Sequence, residues 1–319
     1  MTNSKNTWVK SALIACIVGV GLFAIGDLTG GVDSLRTAAN KMDVEKKEES
    51  YDQLDDVDID LHNRDLIIED SDDQKVHLTY YHQKKREDKI SIKQENSKLT
   101  IKERGANRSH VIIGFNLDFL HLFRDSAHEE RAVTLRLPKG TKLKNLTVYS
   151  DNGPVKLATS SKLLTQQLDV DLANGELTID QLDAEEFKIS NDNGMIQIKN
   201  SQLLSGFLTA DNGEVELNQS KLANGKVSLH NGTFRSSQLD LDGSNTFDND
   251  NGGLEFNLTA ASYQDLALNL KTELGGITAP SDISVNKNDL SQNVNRQVAH
   301  SKRILNATSH NGEIVLTHD

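Results

Sequence analysis

The stretch "NDNGMIQI" (residues 191–198) is followed 19 residues later by "ADNGEVEL" (210–217). Asn-Gly between alternating apolar residues is a strong hairpin signal. It can equally mark one corner of a coil that recurs along a solenoid. The spacing decides between the two. Asn-Gly recurs in "SDNGPVKL" (Gly153), "LANGELTI" (Gly175), at Gly194 and Gly213, in "LHNGTFRS" (Gly232) and in "NDNGGLEF" (Gly252), at intervals of 22, 19, 19, 19 and 20 residues. "TELGGITA" around Gly276 reads as a degenerate next copy and "SHNGEIVL" at Gly312 as a clean last one, while "LANGKVSL" at Gly225 falls off the period.

Period-2 alternation flanks each copy, as with Phe187 and Ile189 before the turn and Ile196 and Ile198 after it, which is strand patterning. A meander of hairpins would need polar turns at the far end of each strand pair. Instead a leucine recurs there: Leu163, Leu182, Leu203, Leu222 and Leu239. The expectation is an all-β fold, a β-solenoid of the parallel β-helix type with coils of about 19–20 residues; a meandering sandwich is the alternative. One coil would then place Asn152, Asn174, Asn193, Asn212, Asn231, Asn251 and Asn311 at a shared corner, each followed by Gly153, Gly175, Gly194, Gly213, Gly232, Gly252 or Gly312. Glycine supplies positive φ there, asparagine tolerates it, and stacked asparagines can bond along the ladder. The neighbouring Asp151, Asp192, Asp211 and Asp250 could form a calcium stripe, but only some copies carry aspartate, so the corner is read as structural.

Residues 141–319 carry the regular repeats, interrupted by the polar insertion 281–302, which reads as an exposed loop. Residues 54–140 read as further strands in more irregular coils, with "LHNRDLIIEDSD" an echo of the corner in which arginine replaces glycine; a separate sheet domain is the alternative. Within them, 110–125 is apolar. Phe115, Leu117, Phe119, Leu122 and Phe123 form a candidate interaction surface, with a cap over the solenoid as the plainer reading.

At the N-terminus, Ser11–Gly26 is uncharged, and Lys5 and Lys10 precede it. With Trp8, Val9 and a snorkelling Lys10, residues 8–26 reach a marginal spanning length. The charge order places the N-terminus in the cytoplasm and the bulk of the chain outside, at the cell membrane. Residues 1–26 are thus expected to be a cytoplasmic tip and transmembrane signal anchor, and 27–53 a charged tether. A cleaved signal peptide is the competing reading. "LIAC" around Cys16 resembles a lipoprotein box, yet the apolar run follows the cysteine rather than preceding it.

A net charge of −12 excludes nucleic acid as a natural partner. One cysteine excludes an internal disulfide framework. The ten histidines show no metal-ligand spacing, and no nucleophile elbow or phosphate loop is present. No cofactor, metal or catalytic residue is expected. Paired carboxylates on β-helices can cleave polysaccharides, but Asp192 and Asp211 belong to turns already explained by the repeat.

Taken in order, "LDDVDIDLHNRDLIIEDSD", "VTLRLPKGTKLKNLTVYSDNGPVKL" and the Asn-Gly copies resemble the bacterial "putative adhesin" family of unknown function, which includes LiaG-like membrane-anchored envelope proteins of Gram-positive bacteria. The resemblance runs from about residue 54 to the end. It implies a membrane-tethered, extracytoplasmic β-solenoid linked to adhesion or envelope-stress systems, and it supplies no catalytic residues. The expected function is a non-catalytic interaction module, an accessory of envelope-stress sensing, whose partner is an envelope protein or wall polymer. An adhesin or glycan-binding rod is the alternative, and a polysaccharide-cleaving enzyme the second.

Overall fold

The computed structural model describes residues 44–83, 90–103, 131–288 and 290–319. They fall almost wholly into one compact unit, Lys46–Tyr81, Lys89–Asn107 and Arg131–Asp319; the second unit, Met1–Glu45, His82–Asp88 and Arg108–Glu130, lies almost wholly outside them. The expected anchor therefore lies outside the described residues, among which no helix is long and apolar enough to cross a membrane.

The alternating segments form strands that pair in parallel with the strand one period away. Phe187–Asn193 lies in register between Leu168–Asn174 and Gly206–Asn212, and Ile196–Lys199 between Leu177–Asp180 and Val215–Asn218. Parallel pairing with the next copy is what a coil produces; a hairpin would pair antiparallel within the copy. Every second side chain points inward, so Phe187, Ile189, Ile196 and Ile198 are all buried.

The recurrent leucines are also buried, but in two adjacent inward columns rather than one. Leu182 stacks on Leu163, whereas Leu203 stacks on Ala184 and under Leu222, which meets Leu241. Three successive coils set a leucine in one column against a smaller residue in the other, Leu182 with Ala184, Leu203 with Ser201 and Leu222 with Ser220, and the next fills both with Leu239 and Leu241. A narrow interior filled to constant volume tolerates the swap. Ser201 and Ser220 stay satisfied, since Leu182 N–H donates to Ser201 Oγ (3.1 Å) and Ser201 N–H to Ser220 Oγ (3.2 Å).

Three corners turn each regular coil. The second, ahead of these columns, carries Gln181, Asn200, Gln219 and Gln238, all left-handed with φ of 61°, 51°, 49° and 51°. The off-period Asn-Gly belongs to the third, where Asn224 has φ 49° and Gly225 pairs with Gly206. Three core aromatics cluster in one place. Phe234, Phe247 and Phe256 pack with ring centroids 4.7–5.2 Å apart.

The two ends depart from sequence order. Asp56–Leu61 and Asp65–Asp70 form one coil that pairs with the coil 142–157 on one side and with Lys98–Glu103 and Ala132–Leu137 on the other. Residues either side of position 140 thus share one ladder. Beyond it, Ile90–Glu95 and Val76–Gln83 run antiparallel to those outer strands, which ends the parallel stack. Val44–Tyr51, expected to close the solvated tether, is instead a strand paired with Val76–Gln83.

At the other end the last coil is not outermost. Arg303–Asn311 inserts between Ser244–Asn251 and Leu266–Leu274, parallel to both. The stretch 281–302 is likewise more than a loop. Its strand Gln292–Arg296 lies antiparallel on Leu266–Leu274 and buries Val294.

Candidate functional site

The Asn-Gly corner is a continuous ladder. Each amide donates to the side-chain oxygen of the asparagine one coil earlier: Asn152 to Asn63, Asn174 to Asn152, Asn193 to Asn174, Asn212 to Asn193, Asn231 to Asn212, Asn251 to Asn231 and Asn311 to Asn251, at 3.0–3.2 Å. None of these asparagines has positive φ, so their side chains, not their backbone tolerance, suit the position.

The glycines follow the same logic. Gly153, Gly175, Gly232 and Gly312 are not left-handed either. A Cβ on Gly175 would lie 2.6 Å from the Gly153 carbonyl oxygen, and each later glycine meets the glycine carbonyl one coil earlier at least as closely. Close backbone approach, rather than positive φ, is the common requirement.

One residue before each ladder asparagine except Asn174, which follows Ala173, stands an acid or an imidazole in a shared column. His62 pairs with Asp151, and Asp250 lies between His230 (2.7 Å) and His310 (3.5 Å). Asp192 and Asp211 stand on adjacent rungs of the same column. No group of three or more His, Cys, Asp or Glu side chains placed to hold a metal occurs among the described residues.

A second feature lies on the outward face of the strands that precede the corner. Register stacks Asp58, Thr147, Asp169, Lys188, Phe207 and Lys226 in one outward column, and Asp56, Asn145, Gln167 and Glu186 in the next. Between them runs an open groove of about 480 Å³ lined by these carboxylates and amides, with Lys98, Lys188 and Phe207. Phe207 is 44% exposed, and Tyr149, beside the groove in the third column, 38%.

Asn145 Nδ2 donates to Asp56 (2.5 Å) and Gln167 Nε2 to Glu186 (3.3 Å). Lys98 lies 3.5 Å from Asp58, and Lys188 3.6 Å from Asp169. Asp169 Oδ1 is buried without a hydrogen-bond donor. The nearby Asp169 carboxylate, helped by partial burial, raises the Tyr149 hydroxyl pKa, so Tyr149 stays a neutral donor.

The expected interaction surface, Phe115, Leu117, Phe119, Leu122 and Phe123, lies outside the described residues. The structure brings the asparagines and glycines of the corner together in one ladder. The groove was not anticipated from the sequence. Its signal was present: in "GFLTADNG" Phe207 falls on the outward phase, where the alternation calls for a polar residue.

Registered parallel coils, an asparagine ladder and a polar outward face define an all-β solenoid. The chain belongs to the Toastrack DUF4097 family, whose model matches residues 54–317. No curated protein matches the chain. Among solved structures it is similar to a "putative cell adhesion protein" of Clostridium sporogenes, at 11% identity over 87% of this chain and 100% of that one (TM-score 0.28). It is also similar to a "putative adhesin" of Bacteroides fragilis, at 13% over 65% and 97% (TM-score 0.35). A "putative lipid binding protein" of Parabacteroides distasonis shares 11% over 86% and 98% (TM-score 0.43).

Proposed function

We propose that this chain is a membrane-tethered, extracytoplasmic interaction module that works by binding rather than catalysis, as an accessory of envelope-stress sensing. The observation that carries the reading is the register of the coils. Strands of up to 20 residues lie side by side with one asparagine ladder fixing their corner, which holds the outward side chains in set rows. A surface with its rotamers and spacing fixed in advance loses little entropy on binding. Residues 8–26 supply the anchor in this reading, from their apolar run and the lysines before it.

The test uses the full chain reconstituted in vesicles, mixed separately with purified cell wall and with membrane vesicles of its own host. Retention on host vesicles that is lost after protease treatment supports an envelope-protein partner. Retention on wall alone favours the second reading, a wall- or glycan-binding adhesin, to which the exposed Phe207 and Tyr149 lend specific support. Retention on neither removes the module reading.

A further inference from the structure

We propose that the outward groove between Asp58 and Phe207 binds an extended, neutral polysaccharide chain lying along the stacking direction of the coils. The inference rests on the reading of the solenoid as a binding module and names the ligand chemistry of one face.

Four features of the groove select that ligand. Charge comes first. Asp56, Asp58, Asp169 and Glu186 outnumber Lys98 and Lys188, and the whole chain carries −12. A phosphate- or uronate-bearing polymer would be repelled by that field. Hydrogen-bonding capacity is the second. The lining is rich in acceptors, each ionised carboxylate offering about four lone-pair sites. Asn145 and Gln167 each satisfy one carboxylate oxygen, and Asp169 Oδ1 is buried without a hydrogen bond, 3.6 Å from Lys188 Nζ. About a third of the Asp169 side chain remains exposed at the groove. A ligand dense in hydroxyl donors meets this surplus.

The third feature is apolar. A pyranose ring presents a face of C–H groups as well as its hydroxyls, and an exposed phenyl is a platform for that face. Phe207 is such a ring, standing clear of the core on a strand whose other outward neighbours are polar.

Repeat length is the fourth. Tyr149 and Phe207 lie three rungs apart along the stack, roughly 14 Å at the usual strand spacing, and one outward column apart across it, roughly 7 Å. Asp169 and Lys188 occupy the rungs between. An extended chain of equatorially linked pyranoses advances roughly 5 Å per sugar, close to the strand spacing of about 4.8 Å. Slanted by one column over three rungs, it could rest one sugar on each aromatic and present the hydroxyls between them to the carboxylates. A protein partner would call for a wider apolar patch than one phenyl and one phenol.

The experiment is titration calorimetry of the full chain, in detergent, with cellotetraose, chitotetraose and xylotetraose, and with polyglycerol phosphate and tetralysine as charged counterparts. Binding of at least one tetrasaccharide is expected, with neither charged probe bound as tightly. Phe207→Ala should weaken it about tenfold, Asp169→Asn several-fold, and Lys156→Ala, on another face, not at all. All three positions are on the outward surface, so unchanged thermal unfolding will show that the variants fold. Failure of every tetrasaccharide, tighter binding of tetralysine or of polyglycerol phosphate, or full binding by Phe207→Ala would overturn the proposal. If the tetrasaccharides fail while the vesicle experiment still captures a protease-sensitive partner, the groove assignment falls and the module reading stands.

Discussion

A glycine at the asparagine corner has the previous coil's carbonyl oxygen where its Cβ would be. Replacing Gly213 with alanine sets that Cβ against the Gly194 carbonyl oxygen, and backbone cannot step aside as a side chain can. We expect Gly213→Ala to destabilise the full chain by about 3 kcal/mol, the range of severe overpacking. Gly276 has nothing within 4 Å of its virtual Cβ, so Gly276→Ala should change stability by less than about 0.5 kcal/mol. Urea unfolding of the pair checks this; equal losses would show that propensity, not close approach, governs the corner. The sequence made these positions and the asparagine ladder visible, but positive φ, which it suggested for the glycines, holds only at Gly194, Gly213 and Gly252. Asn-Gly is read locally as a turn with positive φ, whereas here its two residues answer to a neighbour 19–22 residues away in the regular coils, and 89 or 60 away at the two ends. The same limit hid the second corner. Gln181, Gln219 and Gln238 adopt left-handed φ without being residues that favour it.

At the scale of elements, the copies were legible and their order was not. A coil's inward pattern says that it stacks, not on what. The ladder supplies the missing rule. Asn311 extends the asparagine row by donating to Asn251, while the Leu266–Leu274 coil has Leu274 at that corner and cannot continue it. The asparagine-bearing coil therefore takes the inner place, although it comes last in sequence.

Its neighbours are fastened by one cluster. The short helix Ala260–Gln264, capped by Thr259, carries the buried Tyr263, whose ring stacks on His318 (centroids 4.0 Å) and lies under the Arg296 guanidinium (4.8 Å). Its hydroxyl donates to Asp282 at 2.7 Å. Tyr263→Phe keeps the ring and removes that bond. It should cost about 1 kcal/mol, the worth of an ordinary hydrogen bond rather than one to a buried ion, because Asp282 is exposed. Faster amide exchange should appear across Gln292–Arg296 and not across Arg303–Asn311. Loosening of both segments alike would show that the hydroxyl, not the ring, holds the last coil in place.

For the whole molecule, the described ionisable groups set two limits of pH. Hydrogen bonding from Lys221 holds the Asp242 carboxyl below its ordinary 3.8, and Lys144 does the same for Asp55. The folded chain releases these protons more readily than the unfolded chain. Their contribution is complete above about pH 4 and is lost as pH falls through the lowered folded values. Burial, reinforced by the Asp282 carboxylate, pushes the Tyr263 hydroxyl up from 10.0 to about 12. Burial raises Tyr51 in the same direction. Here the folded chain keeps the proton longer, so the contribution is whole below pH 10 and lost as pH climbs through the raised value. Stability should therefore be flat between about pH 4 and 10 with a fall on each side. Thermal unfolding followed from pH 3 to 12 checks it. Lys221→Met should shrink the acid fall alone, whereas Tyr263→Phe should shrink the alkaline one and also part of the acid one, because the Tyr263 hydroxyl bond is what lowers the Asp282 carboxyl. The acid limb should also weaken at about 1 M salt, since Lys221 and Asp242 are part exposed and screened. The alkaline limb, which begins in burial, should persist. A profile with its only maximum near the isoelectric point of about 5.3 would instead assign the pH dependence to net charge, and would remove these named pairs from the account.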